Sequence, residues 1–162
     1  MSRLDYKFFY RRYLPHLQPR GATFFITFRL AGSLPKSVLE RWDREKWQAA
    51  RSGVSRKVEE EMHRRHFREM ESLLHKAEQG PLWLGEERIA DIVDEGLRYR
   101  DGKVYRLDAY CIMPNHVHIV FAPMPEDDEG DHSLAKILHS LKGRTSRRAN
   151  QSLARAGAFM GT

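Results

Sequence analysis

The chain has a single cysteine, Cys111, among its 162 residues. One thiol excludes an internal disulfide and any cysteine-based zinc site. Cys111 sits in an apolar, strand-like run, so it reads as a buried structural thiol. Long hydrophobic runs are also missing. None approaches the roughly 20 apolar residues of a membrane span, and Met1-Ser2-Arg3-Leu4-Asp5 lacks the apolar core of a signal peptide. These absences point to a cytoplasmic chain with no membrane partner. Internal repeats and low-complexity segments are absent. Acidic charge is the minority: 22 Asp and Glu stand against 28 Lys and Arg, giving a net charge of +6. Excess positive charge favours polyanions and attracts phosphate before any sequence is read.

What is present suits one domain. The length and a hydrophobic content of 41% allow one core. Residues 1–21 form a basic, aromatic N-terminal arm broken by Pro15, Pro19 and Gly21. Its rings either pack on the core or stack bases, and Arg11 and Arg12 are the DNA-contact candidates there. Thr23 to Leu30 alternates as a strand. Ser33 is placed to cap a helix with Pro35 in its first turn. Residues 36–79 read as a helical insertion of two helices, interrupted near Ser52-Gly53, with Leu39, Trp42, Trp47, Met62, Phe67, Met70, Leu73 and Leu74 as its apolar stripe. Its arginines read most simply as a solvated face. Glu86 to Tyr99 is an amphipathic helix. Val104 to Met113 and His116 to Ala122 are strands joined by a Pro114-Asn115 turn. Glu126 to Asp131 reads as an acidic loop. Ser133 caps a last helix, running to about Asn150. The order predicts an α+β fold: a ferredoxin-like antiparallel sheet with helices on one face, plus the helical insertion.

The most informative stretch is Met113-Pro114-Asn115-His116-Val117-His118-Ile119-Val120-Phe121. Side chains alternate along a strand, so His116 and His118 share one face while Val117 points to the core. Two imidazoles side by side can hold a divalent metal. The same pattern can be the polar face of a half-buried sheet, and spacing alone leaves both readings open. On the last helix, Lys142, Arg144, Arg147 and Arg148, with Ser140, Thr145 and Ser146, offer donors to a phosphate backbone. A solvated helix end complementing the helix dipole is the alternative. Asn115 orients a histidine, contacts DNA, or shapes the turn.

His116-Val117-His118 resembles the HUH motif (His, hydrophobic, His) of single-strand DNA transposases and relaxases. The longer string Ala109-Tyr110-Cys111-Ile112-Met113-Pro114-Asn115-His116-Val117-His118 resembles the REP-associated tyrosine transposases, relatives of small insertion-sequence transposases. Tyr13-Leu14-Pro15-His16, Phe24-Phe25-Ile26-Thr27-Phe28-Arg29-Leu30, Gly80-Pro81-Leu82-Trp83-Leu84 and Ile137-Leu138-His139-Ser140-Leu141-Lys142 extend the likeness over nearly the whole chain. The resemblance implies the ferredoxin-like fold and DNA transposition, a form of DNA recombination. Its chemistry is metal-dependent cleavage and rejoining of single-stranded DNA through a 5′-phosphotyrosyl link. It implies Mg²⁺ or Mn²⁺ held by His116, His118 and a third polar ligand, acting as a Lewis acid on phosphate. Single-stranded hairpins of palindromic repeats are the expected partner, with a second copy of the chain as a further one.

The sequence departs from that family at one point. The tyrosine is expected on a helix after a Gly-x-Phe-Trp-like segment, and here Gly157-Ala158-Phe159 continues as Met160-Gly161-Thr162. No tyrosine follows Tyr110. The expectation is a C-terminally truncated, cleavage-deficient member, missing both nucleophile and third ligand and binding metal weakly. A non-catalytic nucleic-acid-binding module, or a metal-dependent nuclease using water, are the alternatives.

Overall fold

The computed structural model describes residues 6–7, 18–127 and 130–161. In chain order the elements are β1 (Tyr6–Lys7), β2 (Gln18–Pro19), β3 (Phe24–Arg29), α1 (Lys36–Ser52), α2 (Arg56–Lys76), a 3₁₀ turn (Trp83–Gly85), α3 (Glu87–Arg98), β4 (Tyr105–Ile112), β5 (His116–Pro123), β6 (Pro125–Asp127), β7 (Gly130–Asp131) and α4 (Leu134–Ser152). The molecule is α+β, with an antiparallel three-stranded sheet in the order β3-β5-β4.

Register sets the two faces of this sheet. Phe24 pairs with Phe121, Ile26 with Ile119 and Phe28 with Val117. All six are buried, and they share one core with Ile89, Val93 and Leu97 of α3 and Leu134, Ile137, Leu138 and Leu141 of α4. Helices α3 and α4 therefore cover this face. In β4 a bulge between Leu107 and Ala109 shifts the pairing. The extra residue restores alternation, so Leu107 and Tyr110, three apart, both reach the core side. Thr27 pairs with His118 and Arg29 with His116, which puts these polar residues on the opposite face.

Helices α1 and α2 form a hairpin with a small core of their own, Leu34, Trp42 and Leu74. It ends at Gly80, whose φ of +80° and close approach to Gly32 leave no room for a Cβ. Through Glu71 and His75, α2 reaches the polar face of the sheet. After α4, residues 159–161 return beside β3: Phe159 O accepts from Ala31 N (2.8 Å) and Gly161 N donates to Arg29 O (2.7 Å). Phe159 is buried and stacks on Trp83.

Some expectations need correction. Ser33 does not cap α1: its hydroxyl donates to Leu30 O (2.7 Å), and Pro35 takes the cap position. Ser133 does cap α4, accepting from Lys136 N. Cys111 is exposed, because it stands opposite His118 on the face that α3 and α4 leave uncovered. Trp47 and Phe67, read as part of the apolar stripe, are exposed, while His66 is buried against Trp42. Within the acidic stretch, read as a loop, β6 pairs with β7, and the buried Asp131 accepts from Gly21 N (2.8 Å). Arg11 and Arg12 lie outside the described residues.

Candidate metal centre

Strand alternation brings His116 and His118 side by side, with Nε2 atoms 3.0 Å apart. His116 is fully buried and His118 partly so. From across the groove, α2 contributes Glu71 and His75, four residues apart and so on one helix face. One ligand atom from each of Glu71, His75, His116 and His118 lies within 4.8 Å of all the others. Glu71 Oε2 is 3.5 Å from His118 Nε2.

The hydrogen bonds around these rings fix which nitrogens are free. Asn115 Nδ2 donates to Leu74 O (2.9 Å), so the amide presents its oxygen to His116 Nδ1, 2.6 Å away. An amide oxygen only accepts, so His116 carries its proton on Nδ1. The Thr27 hydroxyl donates to Glu71 Oε1 (2.9 Å) and accepts from His118 Nδ1 (2.9 Å). His75 Nδ1 faces the Glu71 carbonyl at 2.7 Å, which again only accepts. In each of the three rings Nδ1–H is committed to an oxygen and Nε2 keeps its lone pair. An oriented imidazole of this kind is how metal-ligating histidines are usually held.

Two lone pairs 3.0 Å apart repel unless a cation lies between them or one ring is protonated. Protonation of His116 is opposed: burial, then the neighbouring His118 and His75, push its pKa down to about 4. The donor set fits a divalent metal ion. Three imidazoles and one carboxylate match Mn²⁺ and later transition ions better than Mg²⁺, which prefers all-oxygen surroundings.

To the two histidines expected from sequence, α2 adds two further potential donors. Their sequence signal was Glu71-Ser72-Leu73-Leu74-His75, a carboxylate and an imidazole at i, i+4 in a helical segment. It was hidden in a charged insertion that reads as a solvated surface.

The other predicted site residues are placed as follows. Asn115 is 1% exposed and both ends of its amide are used inside the chain, the geometry of a residue that orients His116. Lys142 is half-buried, with Nζ donating to Gly161 O (3.1 Å), and burial lowers its pKa. Arg144 lies over the Tyr99 ring, 4.9 Å from its centroid. Arg148 pairs with Glu95 of α3, and Arg147 is exposed. Thr145 is buried against Gly96, and the Ser140 hydroxyl accepts from Arg100 Nη2. All of these except Asn115 belong to α4, on the core side of the sheet, so the sheet separates its arginines from the histidines.

Of the tyrosines whose side chains are described, Tyr99, Tyr105 and Tyr110, none lies on the histidine face. Tyr105 is buried, its hydroxyl donates to Leu97 O (2.8 Å), and burial raises its pKa to about 12. Tyr110 donates to Asp94, and Tyr99 stands beside α4 under Arg144 and Lys103. Tyr10, Tyr13 and the Tyr6 side chain lie outside what the structure describes.

Residues 85–161 match the family model for Transposase IS200 like. The match runs from the end of the 3₁₀ turn through α3, β4, β5 and α4, and so contains His116 and His118. It supports a transposase family over slightly under half of the chain. Glu71 and His75 fall outside it. No curated protein and no solved structure matches the chain.

Proposed function

We propose that this chain is a single-stranded, hairpin-DNA-binding transposase of the HUH single-tyrosine class, of the REP-associated type. It would act in DNA transposition with Mn²⁺ or Mg²⁺ at His116, His118, Glu71 and His75. The observation that carries the reading is the convergence of three histidines and one carboxylate, with one ligand atom from each within 4.8 Å of the others. The transposase-family match across β5 supports it.

A bound divalent ion would supply Lewis-acid polarisation of a phosphodiester oxygen. The chain's own residues do the rest. Asn115 and Thr27 hold the His116 and His118 rings in the tautomer that offers Nε2. The three histidines are neutral ligands, so only the Glu71 carboxylate offsets the ion's charge and a net positive charge remains for phosphate. Arg144 and Arg147 are the α4 cations we assign to phosphate contact, on the side of the sheet away from the histidines. With no described tyrosine on the histidine face, these 162 residues are expected to bind and orient a strand without forming a covalent adduct.

The test uses labelled hairpin DNA. Arg144→Ala/Arg147→Ala should lower the log–log salt slope of binding by about 1.4, two contacts at ~0.7 each for single strands. An unchanged slope would remove α4 from the DNA path. With Mn²⁺, a denaturing gel should show no protein–DNA adduct. An adduct abolished by one Tyr→Phe change would identify a nucleophile in this chain. Cleavage without adduct would assign the chemistry to water.

A further inference from the structure

Where α2 meets the polar sheet face, Leu74 is buried. Beside the metal-site donors two phenylalanines stand in solvent: Phe25 of β3 is 54% exposed and Phe67 of α2 is 41% exposed. Their rings meet edge to face, with centroids 6.2 Å apart and planes at 82°. Phe25 also stacks on His118, at 5.4 Å and 23°. Phe67 lies one helical turn before Glu71. Two exposed rings therefore border the metal-site donors directly.

Exposed aromatic pairs are unfavourable in water unless something covers them. The surroundings say what fits. The adjoining sheet surface is open and carries small side chains, with Ala109 and Cys111 of β4 exposed beside Val120 and His118. A flat ring can lie on such a surface. On the α2 side, Phe67 lines a concavity with Glu61, His63, Arg64 and Arg68. Arg68 is partnered by Glu61, and Arg64 is exposed. Apolar rings beside basic side chains suit an unpaired nucleobase with its phosphate.

We propose that Phe25 and Phe67 form a one-sided stacking clamp, an aromatic platform on which one unpaired base of single-stranded DNA lies, setting the adjacent phosphodiester at His116 and His118. This rests on the DNA reading above and deepens it. Neither phenylalanine is a metal donor, and both act by positioning. The clamp selects single strands, because a paired base cannot leave its stack without cost. Stacking is sequence-tolerant, since every base has a π-face, so the clamp sets the site of action while recognition of the hairpin lies elsewhere.

The experiment measures binding of fluorescein-labelled oligothymidylate by anisotropy across salt concentrations. The proteins are wild type, Phe25→Leu, Phe67→Leu, Phe25→Trp and the double leucine variant. Each leucine change should weaken binding roughly 5- to 100-fold while the salt slope stays constant, because stacking releases no counterions. Phe25→Trp should bind like wild type. The same oligonucleotide annealed to its complement should be insensitive to all four changes. Mn²⁺ titration of each variant checks that the neighbouring site is still formed. Wild-type affinity in the double leucine variant would overturn the clamp while leaving the DNA reading intact. Unchanged affinity with altered sedimentation would overturn it in favour of a protein contact. Failure of the wild-type protein to bind any single strand would remove the DNA reading itself, and the clamp with it.

Discussion

Asn115 is the residue on which the site turns. It sits between a helix end and a metal-facing ring, donating to Leu74 O and accepting from His116 Nδ1. Its two roles can be separated. Asn115→Ala leaves the buried His116 Nδ1–H without its acceptor and the Leu74 carbonyl with Ala77 N alone, at a cost of about 1–3 kcal/mol. It should also weaken Mn²⁺ binding by roughly 10- to 100-fold through loss of ring orientation. Asn115→Asp keeps an acceptor for His116 and loses the donor to Leu74, so stability should fall while metal affinity is largely kept. Urea denaturation and calorimetric Mn²⁺ titration read the two effects independently. Equal metal affinity in the alanine variant would show that His116 needs no such support. The sequence Pro114-Asn115-His116 made the turn and the ring visible. It left three roles open for Asn115, because the Leu74 carbonyl that occupies its amide is 41 residues away.

At the scale of elements, the α1–α2 hairpin carries half of the donor set, so its own stability bears on the site. Besides its small apolar core it is tied by two carboxylates. Glu45 accepts from His66 and Arg65, and Glu69 accepts from Arg41 and Trp42. The hydrogen bond from His66 is the main cause lowering the Glu45 pKa, and that from Arg41 is the main cause for Glu69. Both folded pKa values lie below the unfolded ones, so the unfolded chain binds more protons in acid. The stabilisation is complete above the usual carboxylate range and is lost as pH falls through that range towards the folded values. Glu69→Gln should flatten the acid limb of a stability–pH curve measured by urea midpoint. An acid limb as steep as that of wild type would place the pH dependence elsewhere.

The same elements show what local pattern could and could not reveal. Strand β5 was legible because its alternation is strict and its turn is marked by proline. The capping of α4 was legible because Ser133 precedes an apolar periodic run. The cap of α1 was misread because Ser33 is used by the Leu30 carbonyl instead. Cys111 was misread because an apolar strand does not say which of its faces is covered.

Across the whole molecule, the sheet divides the functions. One face holds the core with α3 and α4, and the other holds Glu71, His75, His116 and His118 with the open groove beyond them. The sandwich could be read from element order, since each element carries its own periodicity. The four-donor centre could not. It joins residues of α2 and β5 that are 41 or more apart in sequence, and only tertiary packing of the helical insertion on the sheet brings them together. A two-histidine centre and a four-donor centre differ in a way that one measurement resolves. Calorimetric titration of Mn²⁺ into wild type and into Glu71→Ala, His75→Ala, His116→Ala and His118→Ala should give one site per chain, weakened by each of the four changes. Loss of binding confined to the His116 and His118 variants, with Glu71→Ala and His75→Ala equal to wild type, would contradict the account.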